Sequence, residues 1–354
     1  MKEQVKKTSI KDIAKQSGVA ISTVSHVINN TKFVSDAARE KVTKAINELH
    51  YRPNLIARGL RTKSTRTIGL LLPDISQPFF AQVVKGIEAV ARLRNYTLIM
   101  GCAFYDIEEE KRQLNSMLDQ NTDGIIFFCG YDSYDHIKQV HDSNIPVLVL
   151  DREIDNKDIP SVLVDNFAAM EKAVQYLYDL GHRKIGFITF PFENQTTIRR
   201  RYEGYCSALK KNGLKYNPDF VIIDDQMRLQ ELKGTYAVIK QKVEEKKIPT
   251  AIITLADFLA IGAMKAVKEF GLSVPDDISI MGFNDEMICA FSDPPLTTVK
   301  QPKKLMGETA ANLLIDIIER KKIDNKNIIL DTEIVKRGTT APPAIAKKQT
   351  GSKK

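Results

Sequence analysis

The sequence predicts an all-α helix-turn-helix head followed by an α/β body of two lobes, each a doubly wound parallel sheet. Three observations carry this expectation. Three short amphipathic helical patterns, broken by a glycine turn, fill the first 50 residues. From Thr67 onward, short and nearly continuous apolar runs alternate with amphipathic stretches, the pattern of parallel strands covered on both faces by helices. The basic excess of the chain is confined to its start. Residues 1–66 hold 14 Lys+Arg against 5 Asp+Glu, and the remainder holds 38 against 39.

In the head, Ser9 with Asp12 three residues on is a capping box that opens the first helix. Ile10, Ile13 and Ala14 share one face of it. Gly18 supplies a turn residue able to take a positive φ. The second helix runs from about Ile21 to Asn29. On a helix advancing 100° per residue, Val24, Val27 and Ile28 form a packing face. Ile21, Ser22, Ser25, His26 and Asn29 fall on the other side. Short polar groups with one imidazole can donate and accept at base edges in a major groove, and Ile21 can meet a thymine methyl. An ordinary solvated helix surface explains the same pattern, and the angles alone do not decide between the two. The third helix starts after Ser35 and carries Ala38, Val42, Ala45, Ile46 and Leu49 in one stripe.

Pro53 ends that helix. The segment that follows, with Arg58, Arg61, Lys63 and Arg66 and no acid, reads as a basic linker of weak helical tendency. Expected strands in the body are 68–74, 96–102, 124–129, 146–151, 161–166, 184–190, 220–225, 250–257 and 277–285. A last helix is expected over about 303–321 and a disordered tail over 341–354. The domain reading is therefore a head over 1–53, a hinge and linker over 54–66, and a body over 67–340. The first lobe takes about 67–166 and 298–327; the second takes about 167–297 and 328–340.

The composition narrows the function classes. Hydrophobic residues make up 43% and charged residues 27% of the 354, as in ordinary globular proteins. Neither a membrane-spanning run nor a secretory signal is present, so a cytoplasmic protein is expected. Cys102, Cys129, Cys206 and Cys289 are too scattered for a metal site or disulfide framework. The five histidines show no ligand spacing, and phosphate-loop, dinucleotide and nucleophile-elbow motifs are absent. No catalytic residue, metal or cofactor is expected, and the chain does not read as an enzyme. A basic head on a near-neutral body is the footprint of phosphate contacts, although a solvated basic face gives the same count.

The segments SIKDIAKQSGVAISTVSHVINN and FVSDAAREKVTKAINELHYRPNLIARGLRTKSTRTIGLLLPDISQPFFA resemble, in unbroken order, the lactose-repressor/galactose-repressor family. So do DGIIFF, LDR, VDN, GHRKIGFI, RYEGY, VPDDISIMGFND, PPLTTVKQP and MGE, and the likeness covers roughly residues 8–340. The VSHVIN form of the second helix is most similar to the purine repressor. The resemblance implies a periplasmic-binding-protein-like body and a DNA-binding transcriptional regulator, in expectation a repressor. It would act as a homodimer on a palindromic operator of double-stranded DNA, under control of a small-molecule effector held between the lobes. A sugar or sugar derivative is expected, with a purine-type corepressor or a phosphoprotein co-effector as alternatives.

By position, the resemblance implies DNA contacts at Ile21, Ser22, Thr23, Ser25, His26 and Asn29. In the hinge it implies Ala57, Arg58, Leu60 and Arg61, with Leu60 as a minor-groove wedge. It implies effector contacts at Phe79, Phe80, Gln195, Thr197, Arg201, Asp257 and Asn284. Departures from the family pattern are Ala20 in place of a capping serine, Gly59 in the hinge, and Asn284 where aspartate is usual. Arg199 and Arg200 precede Arg201, either to meet an anionic effector or as a solvated helix start.

Overall fold

The computed structural model describes residues 8–29, 31–51, 64–128, 130, 133–193, 195–245 and 248–344. The chain divides into two compact units, Met1–Arg66 and Thr67–Lys354. The first contains α1 (Ile10–Ser17), α2 (Ile21–Asn29) and α3 (Asp36–Glu48). The Asp12 carboxylate accepts from both the backbone N–H and the hydroxyl of Ser9, at 2.8 and 2.7 Å, which fixes the entry to α1. Gly18, at φ +67°, closes the helix with its N–H on the Ala14 carbonyl. Ile13, Val24 and Val42 are fully buried between the three helices, and Val27 and Ile28 pack against them. The packing face expected from 3.6-residue periodicity is the face that is buried. The hinge residues Ala57, Arg58, Leu60 and Arg61 lie outside the described residues, as does Cys129.

The second unit contains two six-stranded sheets. The first is built from β1 (Thr67–Leu72), β2 (Thr97–Cys102), β3 (Gly124–Phe128), β4 (Val147–Leu150), β5 (Ser161–Val164) and β11 (Asn327–Leu330). The second is built from β6 (Ile185–Thr189), β7 (Val221–Ile223), β8 (Ala251–Thr254), β9 (Ser279–Asn284), β10 (Thr297–Lys300) and β12 (Glu333–Val335). Their orders, β2-β1-β3-β4-β5-β11 and β7-β6-β8-β9-β10-β12, are the same arrangement used twice. All pairings are parallel except β10 with β12. The central strands are buried on both faces, as their apolar runs require: every residue of β3, β4, β6, β8 and β9 is buried.

Three connections join the lobes: after β5, between β10 and the helix Lys303–Ile318, and between β11 and β12. The expected lobe limits shift accordingly. Thr297–Lys300 belongs to the second sheet, where Thr297 is paired with Met281 and Thr298 with Gly282. Asn327–Leu330 lies wholly in the first sheet, beside β5. The crossing to the first lobe therefore falls after Lys300, because the run LTTVK continues the second sheet beside β9.

Helix Lys303–Ile318 packs along helix Pro78–Leu93 at backbone distance. A methyl group on Gly307 would lie 2.1 Å from the Val83 carbonyl, and one on Gly86 would lie 2.3 Å from the Lys304 carbonyl. Arg94 clamps one end of the pair, donating to Asp316 at 2.9 Å and Glu319 at 2.6 Å. Among the described residues, no helix is long and apolar enough to cross a membrane. Because backbone stands on both sides of the contact, Gly307→Ala should destabilise the body by about 1–3 kcal/mol. Urea unfolding followed by circular dichroism measures this, and an unchanged midpoint would contradict the packing described.

Candidate ligand cleft and nucleic-acid interface

In doubly wound sheets the strands on either side of the order reversal send their following loops to opposite faces, leaving a crevice at their carboxyl ends. Here the reversals lie between β1 and β3 and between β6 and β8. The loops after β1, β2, β3, β4, β6, β8 and β9 converge on one cavity of about 90 Å³. The first lobe supplies Gln77, Phe79, Phe80, Tyr105, Gly130 and Asp151. The second supplies Phe190, Gln195, Thr197, Ile198 and Arg201, then Leu255, Ala256, Phe258, Asn284 and Glu286. Two larger grooves, of about 570 and 390 Å³, flank helix Thr196–Lys211, but each draws residues from the second lobe only.

Phe79 and Phe80 begin the helix after β1, where Pro78 sets the first turn. Their rings meet edge to face at 5.4 Å, and Phe80 meets Phe128 at 5.0 Å, a stiff aromatic floor. Opposite them, Phe190 and Phe258 stack at 6.1 Å. Arg201 is held on three sides. Its Nε donates to Asn166 at 2.8 Å, its Nη1 donates to the Leu255 carbonyl at 2.9 Å, and its guanidinium lies 3.7 Å over the Phe283 ring. The Thr197 hydroxyl donates to the Asp151 carbonyl at 3.1 Å, linking the lobes. Asn284, at φ +118°, accepts from the Gln301 amide at 2.8 Å.

Six of the seven residues expected at the effector site line this cavity: Phe79, Phe80, Gln195, Thr197, Arg201 and Asn284. Asp257 does not. It is fully buried behind the wall, where its carboxylate accepts from the Thr298 hydroxyl at 2.5 Å and the Glu286 N–H at 2.8 Å. Its neighbours Ala256 and Phe258 face the cavity instead. Burial pushes the Asp257 carboxyl up to about 7, against those hydrogen bonds. Arg199 and Arg200 do not line the cavity either. Arg199 donates to Thr196, and Arg200 pairs with Glu203 at 3.0 Å and with Glu153 of the other lobe at 3.6 Å.

Sequence reasoning missed Asp151, which ends β4 in the motif LDR. It is 2% exposed, and its Oδ1 meets no donor. Burial pushes its carboxyl up to about 6, although Arg201 and Asn166 pull the other way. Beneath Gly130 sits a buried trio. The Glu110 carboxylate accepts from Arg152 at 3.1 Å and contacts the His136 ring at 2.6 Å. Burial raises the Glu110 carboxyl, but His136 and Arg152 outweigh it and leave it below its ordinary value.

In the head, Ile21 and Ser22 are exposed, while Thr23, Ser25, His26 and Asn29 are half-buried. His26 Nδ1 lies 2.9 Å from the Thr31 hydroxyl, and the Asn29 amide donates to the Ser25 carbonyl at 2.8 Å. These bonds orient the imidazole and amide before any contact with a partner.

An acid whose carboxyl is raised on folding stabilises the fold while protonated and loses that contribution as pH climbs through the raised value. The wild type should therefore lose up to about 3 kcal/mol relative to Asp151→Asn between pH 4 and pH 7. Melting temperatures of both proteins across that range test this, and parallel curves would contradict it.

Residues 65–337 match the family described as periplasmic binding proteins and sugar binding domain of LacI family. Residues 9–54 match the bacterial regulatory proteins, lacI family. Among curated proteins, the transcriptional repressor PurR of Erwinia tasmaniensis is 36% identical over 335 residues, covering 94% of this chain and 97% of that one. The transcriptional regulator RegA of Clostridium saccharobutylicum is 33% identical over 333 residues, covering 94% and 99%. Among solved structures, the Lac repressor dimer bound to operator and the anti-inducer ONPF superposes with a TM-score of 0.83 at 29% identity, covering 95% of this chain and all of that one. With both its head and its body matched in order, the chain belongs to the LacI family of bacterial regulators.

Proposed function

We propose that this protein is a cytoplasmic, homodimeric DNA-binding repressor whose hold on a palindromic operator is set by a small molecule, a sugar or sugar derivative, closed between its lobes. The observation that carries the reading is the cleft. Six residues marked in the sequence as effector contacts, scattered from Phe79 to Asn284, line one cavity between two lobes. It holds aromatic walls and a fixed guanidinium but no constellation for covalent chemistry. A sensor requires that combination: binding energy without turnover. The relatives named PurR support a purine-type corepressor as a second reading, since facing aromatic walls also suit a flat ring.

In the head, Ile21, Ser22 and His26 are the proposed base readers, with Thr23, Ser25 and Asn29 alongside. Leu60, outside the described residues, is the proposed minor-groove wedge. Met287, Ile288 and Phe291 on the second lobe, and Met100 and Phe104 on the first, are exposed apolar groups that suit a subunit interface. A ligand that binds the closed cleft more tightly than the open one shifts the angle between lobes, and with it the spacing of two heads in a dimer.

Two outcomes test the reading. Leu60→Ala should remove specific operator binding and leave weak, salt-sensitive binding to any duplex; unchanged operator affinity by fluorescence anisotropy would sink the wedge. Arg201→Ala should bind operator like the wild type yet lose the response to effector. An intact effector response in that variant would mean that the ligand sits elsewhere.

A further inference from the structure

We infer that the cleft accepts a neutral or cationic ring with O–H or N–H donors on opposite edges, that it rejects anions, and that Glu286 sets this choice. The inference rests on the reading of the cleft as the effector site. Where the family resemblance has an aspartate, this chain has Asn284, which removes a charge. The structure returns a carboxylate two residues later. Asn284 and Asp285 both take positive φ, +118° and +56°, and the turn they make brings Glu286 to the cavity wall at 7% exposure.

That turn is held from behind. The Glu286 N–H donates to Asp257 at 2.8 Å, and Asp257 in turn accepts from Thr298 at 2.5 Å. Gly282 leaves the space this needs, since a methyl group there would lie 2.2 Å from the Asp257 carboxylate. A side chain so supported at its backbone is a built feature of the cavity.

From the other lobe comes Asp151, buried, with one oxygen that meets no donor among the described residues. A buried acceptor without a donor is costly unless a ligand supplies one. Among the described residues, the charged groups lining the cavity are thus two carboxylates, on opposite walls, and one guanidinium. That guanidinium already donates to Asn166 and to the Leu255 carbonyl. Lys303 donates to the carbonyls of Asn284 and Asp285 behind the wall, where its charge also faces Glu286, and it is not part of the described lining. Arg199 and Arg200 are engaged by Thr196, Glu203 and Glu153. An entering phosphate or carboxylate would lose its hydration beside two like charges, with no uncommitted cation among the described lining residues to meet it.

The test uses the full chain and matched probes. Binding of glucose, glucosamine, glucose 6-phosphate and glucuronate, and of adenine against adenosine monophosphate, is ranked by thermal shift and measured by calorimetry. Every stabilising probe should be uncharged or cationic, with its anionic counterpart roughly 100-fold weaker. Glu286→Gln should shrink that ratio to about tenfold or less, while Glu286→Asp, which keeps the charge, should restore most of it. An anionic probe that binds the wild type more tightly than its parent overturns the inference, as does a ratio unchanged by Glu286→Gln. If no probe stabilises the wild type at all, the sensing role of the cleft fails, and this inference falls with it.

Discussion

The buried carboxylate of Asp257 is the contact on which the second wall of the cleft depends. It stands behind the cavity and joins three strand ends that are distant in sequence: the start of the helix after β8, Glu286 after β9, and Thr298 on β10. Burial favours its protonated form, while the Thr298 hydroxyl and the Glu286 N–H favour the charged one. The wall is therefore braced by a polar group that stands behind the cavity rather than in its lining. Arg201, on helix Thr196–Lys211, is likewise set by a group outside the lining, with the Phe283 ring of β9 beneath the guanidinium fixing its height.

What the sequence revealed and what it hid divide along physical lines. The α2 packing face was legible because helical periodicity is local, and Val24, Val27 and Ile28 obey it. Nine strands were legible because parallel strands buried on both faces carry unbroken apolar runs. The three that escaped notice are β10, which is rich in threonine, and the short, partly exposed β11 and β12. Edge strands need fewer apolar residues, and their hydropathy signal fades accordingly.

The cleft was legible through resemblance at Phe79, Phe80, Gln195, Thr197, Arg201 and Asn284, positions where the chain matches a family pattern. It was not legible where tertiary geometry decides which neighbour faces inward. Asp257 turned out to lie behind Ala256 and Phe258, because a helix starting at Asp257 rotates successive side chains by 100°. Glu286 depends on two successive positive φ values, and Asp151 on the burial of a strand end. Neither condition leaves a mark on composition or spacing. Arg199 and Arg200, which the sequence left open between anion ligands and a solvated helix start, lie outside the cavity lining and meet Thr196 and Glu203 on their own helix and Glu153 of the other lobe, and the last of these partners is invisible to charge spacing along the chain.

The three connections between the lobes also bear on how the molecule is made. Neither sheet is encoded by one stretch of chain. The first lobe lacks its helix Lys303–Ile318 and strand β11 until residue 330, and the second lacks β12 until residue 335. A ribosome that has delivered residue 318 still holds two unfinished lobes, each exposing a sheet edge that its own later residues must cover. The head, complete within the first 66 residues, has no such dependence. Synthesis thus yields a folded head long before either half of the body can close, and both halves are finished within a few residues of each other.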